Sequence, residues 1–156
     1  DVATYDLKPE MSALELSNAI CAAIKSENYD SIISNFANAD MVGHTGIFEA
    51  TVKAIETLDS CLGMIAETSQ HHNVDLLITA DHGNAENMYS RENSVKEQLI
   101  PHTAHTNNLV PLLYIGESDC RIIDGELKDI APTMLELLGI DTPFDMTGKS
   151  LLRPTK

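Results

Sequence analysis

Apolar residues at Leu16, Ala19, Ile20, Ala23 and Ile24 recur at helical spacing, and Ser12 followed by Glu15 reads as a capping box. The pattern predicts a helix over residues 12–26. The next apolar run, Asp30-Ser31-Ile32-Ile33-Ser34-Asn35-Phe36, is short and has no helical period, which predicts a buried strand leading into the loop that holds Asp40. Val52, Ile55, Leu58, Leu62 and Ile65 restore the helical period and predict a helix over about residues 48–70. Asp75-Leu76-Leu77-Ile78-Thr79-Ala80 predicts a second buried strand, with Asp81 directly after it. Residues 109–115 predict a third strand. Residues 128–138 predict a helix with Pro132 in its first turn and Gly139 as its stop. Residues 2–5 read as a short strand or an extended lead-in, residues 89–108 as a long polar loop, and the tail from Asp141 as irregular.

Continuous apolar strands alternating with amphipathic helices indicate an α/β fold with a mostly parallel sheet. No internal repeat, low-complexity stretch or linker divides the chain, so residues 1–156 read as one domain or most of one. Ligands of such sheets gather at the carboxyl ends of the strands, which is where Asp40 and Asp81 fall.

Composition narrows the partners. The net charge is −14, with only 10 Lys and Arg against 24 Asp and Glu. That excludes nucleic acid and an anionic membrane. It also suits an anionic substrate poorly, since Arg91, Arg121 and Arg153 are widely spaced in sequence. The three cysteines, Cys21, Cys61 and Cys120, follow no metal-binding spacing and read as reduced thiols of a cytoplasmic protein. No apolar run reaches the roughly 18 residues of a membrane span, and no basic leader opens the chain. The chain begins Asp1-Val2-Ala3 without an initiator Met, so a piece of a longer protein is expected.

Three segments carry candidate chemistry: Asp40-Met41-Val42-Gly43-His44, Thr79-Ala80-Asp81-His82-Gly83-Asn84, and His102-Thr103-Ala104-His105. Carboxylate oxygens and imidazole nitrogens together form the mixed donor set that manganese or zinc accepts. Two-metal sites of this kind move phosphoryl groups. Asp81 and His82 sit at a strand end, where both can fan toward one site; the plain alternative is a turn Asp with a bystander His. Asp40 and His44 are four apart, close enough to share one ion; alone they would also fit an ordinary polar loop. One or both of His102 and His105 can ligate. His71 and His72 close a helix and read as solvated, and Glu49 and Glu86 read as ordinary surface carboxylates.

Five blocks resemble the cofactor-independent phosphoglycerate mutases of the alkaline phosphatase superfamily: residues 2–13 (VATYDLKPEMSA), 38–46 (NADMVGHTG), 78–86 (ITADHGNAE), 102–106 (HTAHT) and 130–139 (IAPTMLELLG). The last is shared more widely in that superfamily. The resemblance implies a three-layer α/β sandwich, split in sequence around an inserted transferase domain, with this chain as the incomplete carboxyl-terminal part. It implies one manganese on Asp40, His44 and His105, the choice of His105 over His102 coming from the family pattern. It implies a second manganese on Asp81 and His82, completed by an Asp and a nucleophilic Ser of the amino-terminal segment. Zinc or another divalent metal would suit the same ligands.

The implied reaction interconverts 2-phosphoglycerate and 3-phosphoglycerate through a phosphoserine. Neither the Ser nor the basic phosphoglycerate clamp of the transferase domain is among these residues, so the chain alone is expected to be inactive. The alternatives are a metal-dependent phosphatase or sulfatase of the same superfamily, and a non-catalytic metal-binding module. A parallel sheet lacking its amino-terminal strands would leave an open edge, so self-association of the chain is expected.

Overall fold

The computed structural model describes residues 2–91, 99–116 and 119–155. Four helices, α1 (Ala13–Ser26), α2 (Asn38–Gly43), α3 (Phe48–His71) and α4 (Ile130–Leu137), are found among them. The strands are β1 (Leu76–Thr79), β2 (Tyr89–Arg91), β3 (Leu99–Pro101), β4 (Leu112–Ile115), β5 (Cys120–Ile122) and β6 (Leu152–Pro154). Short 3-10 turns at Tyr5–Leu7 and Leu127–Asp129 precede α1 and α4. The first replaces the strand or lead-in expected at residues 2–5.

α1, α3 and α4 start and stop near their expected bounds, α2 forms where a loop was expected around Asp40, and α3 buries a face other than the one its apolar period marks. In α3 the buried positions are Ala50, Thr51, Ala54, Cys61, Ile65 and Ser69. Val52 and Ile55, which set the apolar period, are 39% and 44% exposed. In α1 the buried positions are Ala13, Ser17, Cys21 and Ile24, while Ala19 is exposed. Small side chains on both helices let the backbones approach closely, and the contact distance of packed helices is set by the residues at the contact. Cys21, Ile24 and Ile65 form the core cluster, with Ile20, Phe36, Met64 and Leu76 packed around it. The Thr68 hydroxyl reaches the Cys21 Sγ at 3.4 Å and ties the two helices at their polar margin. Ser12 makes no side-chain cap on α1, so the expected capping box is not formed. α4 ends as expected: Gly139 N–H donates to Glu136 and Ile140 N–H to Leu135, a Schellman close.

The strands pair differently from the expectation. β1 pairs with β4, β2 with β3 and β5 with β6, every ladder antiparallel. A parallel partner needs a crossover, usually a helix, and among the described residues no helix separates β1 from β4. The segment that has helices between itself and β1 is residues 30–36, the predicted buried strand. It runs without a strand assignment, and its residues through Asn35 are exposed, Ile33 at 82%. Only Phe36, at its end, joins the core beside Leu76. No strand among the described residues pairs with it, which is why its apolar side chains stay open.

The expected polar loop at 89–108 contains the β2–β3 ladder, and its middle, residues 92–98, lies outside the described residues. The tail is not wholly irregular, since β6 returns to pair with β5. That ladder sets Arg121 opposite Arg153, bringing together two arginines that are far apart in sequence.

Candidate metal centre

Helix α2 is six residues long and is pinned from one side. Asn38, 2% exposed, donates through Nδ2 to the carbonyls of Pro9 and Glu10 at 2.8 and 2.9 Å. Val42 is fully buried against Ala50 and Ala54. With those two faces fixed, Asp40 and His44, four apart on a helical turn, project on the same side. The His44 N–H closes the turn onto the Asp40 carbonyl at 2.9 Å.

Three ligand atoms converge there. Asp40 Oδ1 lies 3.1 Å from His44 Nε2 and 3.1 Å from His105 Nε2. The two Nε2 atoms are 3.0 Å apart. His44 Nδ1 lies 2.6 Å from the Thr103 carbonyl oxygen. A carbonyl only accepts, so Nδ1 donates there and Nε2 is the ring nitrogen turned toward Asp40 and His105. Asp40 Oδ1, an acceptor, faces His44 Nε2 across 3.1 Å. A proton on one of the two Nε2 atoms, or a cation, must lie among the three atoms. A divalent ion satisfies all three at once, and this donor set suits manganese or zinc. Among the described residues, Asp40, His44 and His105 form the group of side chains able to share one ion.

His82 stands beside this group. Its ring lies against that of His105, centroids 3.7 Å apart and planes 23° apart. His82 Nε2 is 3.6 Å from Asp81 Oδ1. Asp81 itself stands open, its side chain 83% exposed. Three of the five expected ligands thus converge, His82 stacks on one of them, and Asp81 borders them.

His102 points elsewhere. Its Nδ1 meets the Asn87 carbonyl at 3.1 Å, and its N–H donates to Met88. His71 and His72 close α3 as expected; His71 Nδ1 donates to the Glu67 carbonyl at 2.7 Å.

Two residues of the site carry no metal-ligand signal in the sequence. Asn84, 4% exposed, donates through Nδ2 to Asp40 Oδ1 at 2.8 Å and so fixes the carboxylate that faces both imidazoles. Its own Oδ1 is buried without a partner against Gly43, where any Cβ would collide with it. Glu86, read from sequence as a surface carboxylate, accepts the Asn84 N–H, the Thr106 hydroxyl and Asn108 Nδ2. The Thr106 hydroxyl foremost, with the other donors, holds the Glu86 carboxyl below its ordinary range. The repeated Asn and Glu after Asp81-His82-Gly83 were the available signal, but nothing in their spacing distinguishes a clamp from a surface pair.

Comparison with known proteins gives the site its context. A family model described as the Metalloenzyme superfamily matches residues 1–142. The chain is 55% identical over 152 residues to the 2,3-bisphosphoglycerate-independent phosphoglycerate mutase 2 of Methanosarcina barkeri, covering 97% of this chain and 28% of that protein. It is 53% identical over 153 residues to the 2,3-bisphosphoglycerate-independent phosphoglycerate mutase of Vibrio atlanticus, covering 97% and 29%. The crystal structure of Leishmania mexicana phosphoglycerate mutase at low cobalt concentration superposes with a TM-score of 0.88 at 29% identity, over 99% of this chain and 30% of that one. The chain thus spans under a third of the length of the relatives it matches.

Proposed function

From this chain's membership of the Metalloenzyme superfamily, to which its match over residues 1–142 assigns it, we propose that it is the metal-ligand segment of a cofactor-independent phosphoglycerate mutase. The observation that carries the reading is the convergence of Asp40 Oδ1, His44 Nε2 and His105 Nε2. These three hold one divalent ion, manganese by preference, with zinc as the chemical alternative. Asp81 and His82 hold a second, together with an Asp and a nucleophilic Ser that lie outside these residues. Such ions, when bound, neutralise charge on a phosphoryl group in transfer and activate the attacking hydroxyl.

The chain's own residues prepare for that chemistry. The Thr103 carbonyl accepts from His44 Nδ1 and so turns Nε2 toward Asp40 and His105. Asn84 aims the Asp40 carboxylate. The His82 ring, flat on His105, limits how far either imidazole can turn.

The overall reaction is the interconversion of 2-phosphoglycerate and 3-phosphoglycerate through a phosphoserine. At −14 the chain offers little to attract phosphoglycerate, so the basic groups that hold it belong to the remainder of the protein, its transferase domain. We place the protein in the cytoplasm, in keeping with its free thiols and with the absence, among the described residues, of a helix able to cross a membrane.

The test has two arms. Manganese titration of the metal-stripped protein should give a saturable site that weakens sharply in His105→Ala; equal binding by both proteins sinks the metal reading. The protein expressed from its complete gene should interconvert the two phosphoglycerates, and the 156-residue chain alone should not. Turnover by the chain alone would show that the nucleophile lies within it. Release of inorganic phosphate by the complete protein, without isomerisation, would make it a hydrolase of the same superfamily.

A further inference from the structure

Two loops bring the imidazoles together, and one carboxylate joins them. Glu86 Oε2 accepts the backbone N–H of Asn84 at 2.6 Å. Glu86 Oε1 accepts the Thr106 hydroxyl and, at 2.9 Å, Asn108 Nδ2. The Thr106 N–H donates to the Gly83 carbonyl at 2.8 Å. Gly83 follows His82, and Thr106 follows His105. The residues after the two stacked rings are therefore bonded to each other, and Glu86 bonds to the neighbours of both.

We propose that Glu86 is a positioning residue of the metal centre: it clamps the His82 loop to the His105 loop, so that the rings stack and Asn84 reaches Asp40. The inference rests on the metal reading above. Glu86 is not among the converging ligand atoms and both its oxygens accept from the loops, so it acts through the ligands. A carboxylate suits the place because it offers acceptors only, and three donors point at it. The fit is close: a Cβ on Gly83 would run into both the Glu86 carboxyl and the Thr106 hydroxyl. Asn84 is 4% exposed, so losing the carboxylate strands a buried N–H and frees the side chain that aims Asp40. Partners that orient ligands in this way commonly govern metal affinity as strongly as a ligand does.

The experiment uses the protein expressed from its complete gene, with three variants. Glu86→Gln keeps the size but turns one acceptor into a donor. Thr106→Val removes the hydroxyl, and Thr106→Ser keeps it. Two readouts are taken: manganese affinity by calorimetry, and the ring signals of histidines labelled with 15N in metal-free protein.

Glu86→Gln and Thr106→Val should each weaken manganese by about 10- to 100-fold and move the His82 and His105 signals. Thr106→Ser should leave both as in the parent. Unchanged His82 and His105 signals in metal-free Glu86→Gln and Thr106→Val overturn the clamp. If Glu86→Gln fails to fold, the Thr106 pair decides in the same way. If His105→Ala binds manganese as the parent does, the metal reading has failed, and the metal-free spectra still judge Glu86.

Discussion

His82 lies flat against His105, ring centroids 3.7 Å apart, although 22 residues separate them along the chain. One ring stands near the start of the loop after β1, and the other hangs from the loop before β4. The stack makes each imidazole a wall for the other. Aromatic stacking of this kind contributes about 0.5–1.5 kcal/mol, or about a 2- to 12-fold effect on affinity. His82→Ala should weaken the ion held by Asp40, His44 and His105 within that range, and His82→Phe should restore most of it. Calorimetric titration reads both. A phenylalanine that fails to restore what alanine loses would mean that His82 acts as a ligand of that same ion.

Gly43 faces Asn84 with no room for a methyl group. Gly43→Ala should push Asn84 off Asp40 and cost about 1–3 kcal/mol of stability through overpacking. Metal affinity should fall with it. Urea unfolding checks the first part and titration the second; a variant as stable as the parent would show that the Asn84 loop yields freely.

The helix contact yields a comparison within α3. Ala54 is fully buried, and Val52 is 39% exposed. Ala54→Leu should destabilise by about 1–3 kcal/mol, whereas Val52→Ser should change stability by about 0.5 kcal/mol or less. Equal losses would mean that the Val52 face is also covered.

Asp129 clasps the carboxyl-terminal tail. Its carboxylate accepts the Glu126 N–H and the Lys149 N–H, each at 2.8 Å. The Glu126 N–H first, then that of Lys149, lowers its pKa from the ordinary value. A carboxyl lowered in the folded state adds stability above its unfolded pKa, about 3.9, and loses it as pH falls through the folded value. Asp129→Asn should therefore be destabilising at neutral pH, with the gap to the parent narrowing as pH falls below about 4. Urea midpoints of both proteins at pH 7 and pH 3 settle it; a gap that is constant with pH would remove the carboxylate from the account.

Residues 30–35 are exposed, Ile33 at 82%, and no described strand pairs with them. An unpaired apolar segment of this kind is a site for pairing with another chain. The 156-residue chain by itself should associate in light scattering, and Ile33→Lys should return it to a monomer. A monodisperse parent chain would count against edge pairing.

Much of this was legible in the residues. The helix bounds follow from period and punctuation, and Pro132 and Gly139 mark α4 within a residue or two of its ends. Asp40, His44, His82 and His105 stood out as candidates because Asp and His interrupt apolar runs, and the structure brings three of them, Asp40, His44 and His105, to one point. The buried face of α3 was misread because hydropathy weighs Val52 and Ile55 above Ala54 and Cys61, whereas close packing selects for size. The strand at 30–36 was misread because apolar pattern reports a tendency to pair, and pairing also needs a neighbour. The α/β class was legible; the antiparallel direction of the three described ladders was not, because direction belongs to the partner. Glu86 was missed because three donors from residues 84, 106 and 108 define it, and they meet only in three dimensions.

The bond from His44 Nδ1 to Thr103 ends on a main-chain oxygen. Every amino acid carries that atom, so position 103 can drift in identity without altering how the His44 ring is held. What has to be inherited is the path of the chain there, not the side chain on it. A determinant of the site is thus written in curvature, at a place where residue-by-residue comparison would register only indifference.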